Sequence, residues 1–272
     1  MSNIHILAQS QIIRNTKPIL EKGWAITHFD GREVSKWSLL DGLNKQTDDK
    51  FICFVSIPIA AFIIQRYPHL ANGLLFPSTY RMYESQNPLY LNEWTNRIPK
   101  NMLLNDKIYY STFGDILDGH ITWNMDHVFI KPVSPWKPFA GFDCPSSELQ
   151  FEVKSRMQTE HLDRGVMVGI SAPKAIDKIE WRCYAVEGEI VTAAPYSWND
   201  IENPPSDIPS QLRELAENAA KCLEYVGDPW VIDIANTEDG PKVIEVNAVP
   251  TSGWYNGMDT NKLLKKLVEP MI

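Results

Sequence analysis

The chain has 272 residues, of which 44% are hydrophobic and 22% charged, and its formal net charge is −8 at pH 7. This length allows one large domain or two smaller ones with a real hydrophobic core, and the composition is that of a soluble globular protein. The negative charge argues against a nucleic-acid-binding protein that neutralises many phosphates, although it leaves room for a local basic pocket around a nucleotide.

The cysteines, the histidines and the apolar runs exclude further classes. The four cysteines include no Cys-x-x-Cys pair and the six histidines have no metal-type spacing, a pattern typical of reduced thiols rather than of a zinc site or a disulfide framework. The start of the sequence lacks the basic-then-apolar order of a signal peptide. The most apolar run, residues 51–64, is shorter than the roughly 20 residues that span a bilayer. We expect a cytoplasmic protein with no membrane and no nucleic-acid partner.

The first part of the chain, residues 1–127, has the pattern of a smaller α/β region. Residues 74–101 are rich in Pro, Asn, Tyr and Trp without a clear period, which is typical of loops. Arg81 in this segment is a candidate substrate contact, and the alternative is an ordinary surface arginine. The predicted strands lie at 4–8, 24–29 and 51–55, and the predicted helices at 16–22 and 58–67.

Two lysines lie close together in the next part of the chain. Predicted strands at 103–110 and 127–132 lead into a turn-forming, glycine-containing loop at 134–142. Lys131 lies near the end of the second strand and Lys137 lies in the loop, so the pair could grip the phosphates of a nucleotide. Lysines more often only solvate a surface, and that alternative stays open.

An arginine stands in the middle of an apolar strand. Strands are predicted at 166–170, 180–186 and 189–193, the last two joined by a tight turn. Arg182 shares a strand face with Glu180 and needs an anionic partner, either that glutamate or a phosphate, which suits guanidinium geometry. Two amphipathic helices are predicted after this hairpin, at 207–225 and 260–269.

The most informative stretch is a predicted hairpin at 230–250, because acidic residues interrupt its apolar strands. Side chains alternate along a strand, so Glu245 and Asn247 share one face. If the turn has an odd number of loop residues, Asp233 lies across from Glu245 on that face. Such a convergence of oxygen ligands suits Mg²⁺. The alternative is a half-exposed hairpin whose acids face water.

The order of these parts resembles the ATP-grasp superfamily, and more narrowly its phage-associated clade named for two arginines and one lysine, which is predicted to form amides. The features that carry this resemblance are Glu180-Trp181-Arg182, the Lys-x-Phe-x-Gly loop with Lys137, and Ile244-Glu245-Val246-Asn247 followed by Gly253 and Tyr255. No Walker-type phosphate loop, Gly-x-Gly-x-x-Gly motif or Gly-x-Ser-x-Gly elbow competes with it.

The resemblance implies an α+β fold in which two α+β subdomains grip ATP, with the ATP-grasp catalytic region at 128–272 after the N-terminal region 1–127. It implies ATP and Mg²⁺ as cofactors, with catalytic roles for Lys137 and Arg182. The ribose-binding glutamate usual in the linker is not obvious, because Lys174 and Asp177 stand in that region. The implied metal ligands are Asp233, Glu245 and Asn247, and the implied ATP contacts are Lys131, Lys137, Val168, Ser171, Ala172 and Arg182.

The function implied is that of an ATP-dependent carboxylate–amine ligase, which forms an amide through an acyl-phosphate and whose acceptor can be a peptide or a protein. Two alternatives stay open: an ATP-binding assembly chaperone of the cell-division-cycle D type, and a small-molecule kinase on the same fold. Aromatic and arginine side chains serve recognition well. The candidate substrate contacts are Arg81, Tyr196, Trp198 and Tyr255, and the alternative is that these side chains only pack, as most Trp and Tyr side chains do.

Overall fold

The computed structural model describes residues 4–10, 12, 24–30, 50–71, 88–120, 124–196, 206–223 and 229–269. Within these ranges the protein is α+β, with one parallel and two antiparallel sheets. This confirms the predicted fold class. Arg81 and Trp198 lie outside the described residues, as does the predicted helix at 16–22, and nothing is described for the side chain of Tyr196.

The first sheet is parallel and has apolar residues on both faces, as parallel sheets generally do. Its central strand places Ile6 on one face and Leu7 on the other, and each belongs to a separate buried cluster. The strands are β1 (Ile4–Gln9), β2 (Trp24–Phe29) and β3 (Lys50–Phe54), in the order β2-β1-β3, followed by helices α1 (Ile57–Arg66) and α2 (Pro68–Ala71).

The second sheet is antiparallel, and its two faces differ. One face is covered by two helices and a buried cluster that includes Phe113, Ile130 and Val168. The other face carries Lys131 and Gly169, which are cross-strand neighbours. The strands are β4 (Tyr109–Thr112), β5 (His127–Pro132), β6 (Phe142–Pro145) and β7 (Met167–Ser171), in the order β4-β7-β5-β6, and the helices are α4 (Phe113–Leu117) and α5 (Leu149–Thr159).

The third sheet is also antiparallel, and alternation along β8 divides its residues between two faces. Trp181 and Cys183 pack in one cluster with helix α6 (Ser210–Leu223), whereas Tyr184 packs in another with helix α7 (Thr260–Val268). Arg182 lies on the same face as Tyr184. The strands are β8 (Glu180–Val186), β9 (Glu189–Tyr196), β10 (Trp230–Thr237) and β11 (Gly240–Ala248), in the order β11-β10-β8-β9.

The structure differs from the sequence-based prediction in one segment above all. Residues 74–101, interpreted as a loop, contain helix α3 (Leu91–Arg97). Leu91, Trp94 and Ile98 have helical spacing and are buried in the cluster shared with α6. Three apolar positions in and just after a seven-residue helix give too short a period to stand out among polar neighbours.

Strand β4 belongs to the second sheet through its pairing with β7, so residues before 127 contribute to that sheet. The boundary between the regions 1–127 and 128–272 stays a prediction. Among the described residues, no helix is long and apolar enough to cross a membrane.

Candidate active site

A large cleft runs between the second and third sheets, with a volume of about 1310 Å³. Its lining includes Lys131 from β5, Lys137 from the loop after β5, Arg182 from β8, and both strands of the β10–β11 hairpin. Small-molecule pockets usually measure roughly 300–1,000 Å³. This cleft therefore has room for a nucleotide and a second substrate.

The β10–β11 hairpin brings Asp233 opposite Glu245, as predicted, but by a different route. The predicted odd-length turn is wrong: Thr237 pairs with Gly240, which leaves a two-residue turn. If the pairing continued without interruption from this turn, Asp233 would face Ile244, and Glu245 would point to the opposite side of the sheet. A register shift next to Asp233 leaves Ile244 as an extra residue and restores the pairing, as β-bulges near functional sites do.

Arg182 and Asp233 form a buried ion pair at the floor of the cleft. They are cross-strand neighbours on β8 and β10, and only 7% and 2% of their surfaces are exposed. Nε and Nη2 of Arg182 donate to the two carboxylate oxygens of Asp233 at 2.8 and 2.7 Å. Burial opposes the charged arginine, but Asp233 outweighs it and raises the pKa of Arg182. Asp233, rather than Glu180, therefore supplies the carboxylate that pairs with Arg182, and Arg182 belongs to the same sheet as the hairpin.

Glu245 and Asn247 continue this polar network towards the second sheet. Nδ2 of Asn247 donates to Oδ2 of Asp233 at 3.0 Å and to Oε2 of Glu245 at 3.1 Å. Nζ of Lys137 donates to the same Glu245 oxygen at 2.7 Å. Burial alone would raise the pKa of Glu245. The positive charges of Lys137 and then of Lys131 outweigh this effect and lower the pKa to about 2. Glu245 is therefore ionised at neutral pH.

The two lysines approach the hairpin from the second sheet. Lys131 lies 5.2 Å from the centre of the Trp94 ring and donates to the backbone oxygen of Ile244 at 3.4 Å. Burial lowers the pKa of Lys131, although Glu245 opposes this shift. Lys137 has φ of 46°, in the left-handed region that a non-glycine residue seldom occupies outside functional loops and turns. Lysines from one sheet therefore face carboxylates from the other.

The donors of the hairpin fit a magnesium ion. Asp233, Glu245 and Asn247 place two carboxylates and one amide on one face, and Mg²⁺ usually takes one or two protein carboxylates and completes its shell with water and phosphate oxygens. The amide of Asn247 presents Nδ2 to the carboxylates, so its side chain would have to turn for its oxygen to serve as the third ligand. The described residues contain no cluster of three His, Cys, Asp or Glu side chains suited to a metal, because the third donor here is an amide. Positive side chains neutralise both carboxylates in the absence of metal.

Only some of the other predicted site residues line the cleft. The side chain of Val168 lies in the buried cluster on the opposite face of the second sheet. Ser171 lines a smaller cavity beside Trp94 and Lys131. Ala172, half-buried, follows directly after β7. Tyr255 lines the main cleft and accepts a hydrogen bond from Arg182. The ATP-binding roles of Val168, Ser171 and Ala172 stay predictions, as does the substrate-contact role of Tyr255.

Sequence reasoning missed Trp94 and Glu180 among the residues that line the cleft. Trp94 lies in the segment interpreted as a loop. Glu180 was considered only as a partner of Arg182, yet it lines the cleft, and burial, reinforced by Asp233 and Glu245, raises its pKa to about 7. Strand alternation, which places Glu180 on the same face as Arg182, was the available signal for it.

Comparison with known proteins agrees with this geometry. The family model of the ATP-grasp domain, in family 3 of the clade named for two arginines and one lysine, matches residues 81–267. No curated protein matches the chain. Among solved structures, the chain resembles D-cycloserine synthetase DcsG, with 13% identity, 100% of both chains covered and a TM-score of 0.60. It also resembles D-alanine–D-alanine ligase from Bacillus anthracis complexed with ATP, with 14% identity, 99% and 97% coverage and a TM-score of 0.54.

A third solved structure, ATP-grasp ligase PsnB complexed with minimal precursor, matches with 11% identity, 100% coverage of both chains and a TM-score of 0.53. At these identities the likenesses show a shared fold, and the activity of this chain has to be argued from its site.

Proposed function

The chain belongs to family 3 of the ATP-grasp clade named for two arginines and one lysine, and on that premise we propose that it is an ATP-dependent carboxylate–amine ligase. ATP transfers its γ-phosphoryl group to a substrate carboxylate, and an amine displaces phosphate from the acyl-phosphate to form an amide. The acceptor we propose is a peptide or a protein. The supporting observation is that Lys131 and Lys137 face Asp233 and Glu245 across one cleft.

The roles follow from charge and position. Mg²⁺, when held by Asp233, Glu245 and Asn247, would neutralise the β- and γ-phosphates. Lys137 lies in a loop on the opposite side and can exchange Glu245 for a phosphate oxygen. Arg182, next to Asp233, stabilises the charge that develops on the transferred group. The substrate carboxylate is already a nucleophile, so phosphoryl transfer needs no base.

The rest of the ATP site is assigned by position. Lys131 contacts a phosphate, and the chain around Val168, Ser171 and Ala172 holds the base through backbone groups. Glu180 accepts hydrogen bonds from the ribose hydroxyls, because it is a carboxylate on the cleft face of β8.

We further propose that the acceptor substrate lies near Tyr255, and the same role is proposed for Arg81, Tyr196 and Trp198.

Product analysis tests the reaction class. The protein is incubated with Mg²⁺, ATP, panels of carboxylates and amines, and hydroxylamine, which traps an acyl-phosphate as a hydroxamate. We expect ADP and phosphate in equal amounts, and a hydroxamate. ADP without phosphate would identify a kinase instead. ATP binding without turnover for any substrate would favour an assembly chaperone.

A matched pair of variants tests the site. Lys137→Met removes the loop cation, and we expect kcat to fall roughly 10²-fold, as when one electrostatic contact to a transition state is lost. Lys154→Met removes an exposed lysine from α5 and should change kcat little. Equal activity of the two variants would contradict the role of Lys137.

A further inference from the structure

The loop after β11 touches Arg182 on the side away from Asp233. Nη1 of Arg182 donates to the hydroxyl of Tyr255 at 3.3 Å, and its guanidinium carbon lies 5.4 Å from the centre of the Tyr255 ring. Asp233 contacts the Nε and Nη2 atoms of the same group. The planar guanidinium is therefore held from two directions, by a carboxylate on one edge and by a phenol at Nη1.

A second tyrosine on β8 fixes this loop. Tyr184 is fully buried two residues beyond Arg182 on the same face, and its hydroxyl donates to the backbone oxygen of Gly253 at 2.8 Å. The backbone N–H of Trp254 donates to the oxygen of Ile12 at 3.0 Å. Buried hydrogen bonds of this kind hold a short loop in one conformation.

Gly253 supplies the space that Tyr255 needs. A Cβ atom at position 253 would lie 3.2 Å from the Tyr255 hydroxyl oxygen and 3.4 Å from the adjacent ring carbon. The backbone of Gly253 does not adopt a positive φ, so the reason for glycine here is room for a ring and not backbone freedom. The hydroxyl can reach Arg182 because the ring folds back over Gly253.

We propose that Tyr255 is a positioning residue that keeps the Arg182 guanidinium aimed at the transferred phosphoryl group, and that Gly253 leaves room for this contact. This inference rests on the proposed ligase function. Asp233 would have two tasks in that reaction, since it pairs with Arg182 and is a proposed metal ligand. A metal ion held by one of its oxygens would weaken its hold on Arg182. The contact from Tyr255 would then limit the rotation of the guanidinium.

The test compares two ligands that differ at the γ-position, Mg²⁺·ATP and Mg²⁺·ADP·aluminium fluoride. The fluoride group imitates the phosphoryl group in the transition state of its transfer. Tyr255→Phe keeps the ring and removes the hydroxyl. We expect its affinity for the fluoride complex to fall about tenfold, as for loss of a hydrogen bond to a charged group. Its affinity for Mg²⁺·ATP should stay within about twofold of the wild type. Tyr109→Phe, which changes an exposed tyrosine of β4, is the matched control.

Two further variants test the part assigned to Gly253. Gly253→Ala should reproduce part of the selective loss, because a Cβ atom 3.2 Å from the Tyr255 hydroxyl oxygen would push it away from its present position. The double variant Gly253→Ala/Tyr255→Phe should be no worse than Tyr255→Phe alone, because both changes act through one hydroxyl. Additive losses would overturn the part assigned to Gly253.

The outcomes separate the inference from the function it rests on. If the wild type binds neither ligand, the proposed function fails and takes the inference with it. If the wild type binds both but Tyr255→Phe weakens them equally or not at all, only the positioning role is overturned. Thermal unfolding of each variant shows whether a general loss of structure accounts for equal weakening.

Discussion

Asp233 carries a buried negative charge whose cation is Arg182 in the structure and, under the proposed function, also a metal ion. The bidentate contact and the near-complete burial of both side chains mean that neither charge can be removed alone without leaving the other unpaired and almost inaccessible to water. Under the proposed function, stability and catalysis are therefore linked at this one pair.

This linkage gives a prediction about stability. Asp233→Ala and Arg182→Met should each lower the free energy of unfolding by roughly 3–5 kcal/mol, because each leaves a buried charge unpaired. The double variant Arg182→Met/Asp233→Leu should recover most of that stability while remaining inactive. Urea unfolding measures the first effect and ATP turnover the second.

A control for this prediction lies on the same hairpin. Asp239→Ala, at the exposed turn, should change stability by less than about 0.5 kcal/mol, as for most surface substitutions. If the double variant is as unstable as the sum of the single variants, the pair is not the source of the loss.

Glu180 gives a prediction about pH. Its pKa is raised from an ordinary value of 4.5 to about 7. At a pH between these two values, the carboxyl group of Glu180 therefore binds more protons in the folded protein than in the unfolded chain. Stability contributed by this carboxyl therefore falls as pH rises from 4.5 to 7. Glu180→Gln should flatten this part of the pH dependence, measured as urea midpoints from about pH 5 to about pH 8.

The matched control is Glu238→Gln, at the exposed end of the β10–β11 hairpin. It should leave the pH dependence as in the wild type. Parallel curves for the wild type and Glu180→Gln would show that the carboxyl of Glu180 is not responsible.

At the scale of elements, the β-bulge at Ile244 connects the proposed metal ligands to the second sheet. It keeps Asp233 opposite Glu245, and it turns Ile244 towards the cleft, where its backbone oxygen accepts the hydrogen bond from Lys131. One extra residue in β11 thus serves the hairpin and the facing lysine together.

Deleting Ile244 separates these two effects. The regular hairpin that results still pairs Asp233 with Glu245, so we expect cooperative unfolding to persist. Lys131 loses its acceptor and the cleft loses an apolar side chain, so KM for ATP should rise about tenfold, which corresponds to roughly 1.4 kcal/mol. Ile244→Val keeps the bulge and should change KM far less. An unchanged KM in the deletion variant would refute this role for the bulge.

The elements differ in how far the sequence predicts them. Strands β2 and β5 begin and end where the alternation and the turn residues indicate, because hydrophobic period and flanking turns are local signals. The bulge at Ile244 was not predicted, since a one-residue insertion depends on pairing with a strand elsewhere in the chain. The partner of Arg182 was missed for the same reason: register between β8 and β10 is a tertiary property.

At the scale of the whole molecule, the first sheet is attached to the loop that follows the proposed metal ligands. The backbone N–H of Val55 donates to the oxygen of Pro250 at 2.7 Å, and that of Ser56 donates to the side chain of Gln9 at 2.7 Å. Ligands that order the hairpin and its following loop therefore act on all three sheets, and their binding should be visible in the unfolding of the entire chain.

This coupling predicts how ligands stabilise the protein. A ligand that binds only the folded state stabilises it by about 2.7 kcal/mol at a hundred times its Kd, which for a chain of this size raises Tm by roughly 5–10 °C. Mg²⁺·ATP should produce such a shift. Mg²⁺ alone should produce almost none, because Arg182 and Lys137 already neutralise Asp233 and Glu245 and an incoming metal must displace them without help from phosphates.

The Lys137→Met variant makes this prediction specific to the site. Removing the cation that pairs with Glu245 leaves that carboxylate without its closest positive partner, so Mg²⁺ alone should stabilise the variant more than it stabilises the wild type. The shift with Mg²⁺·ATP should be smaller than in the wild type, because a phosphate contact is lost. Scanning calorimetry with Mg²⁺, with ATP and EDTA, and with both ligands measures each contribution. If Mg²⁺ alone raises the Tm of the wild type as much as Mg²⁺·ATP does, the positive side chains of the cleft do not hinder metal binding to the proposed ligands.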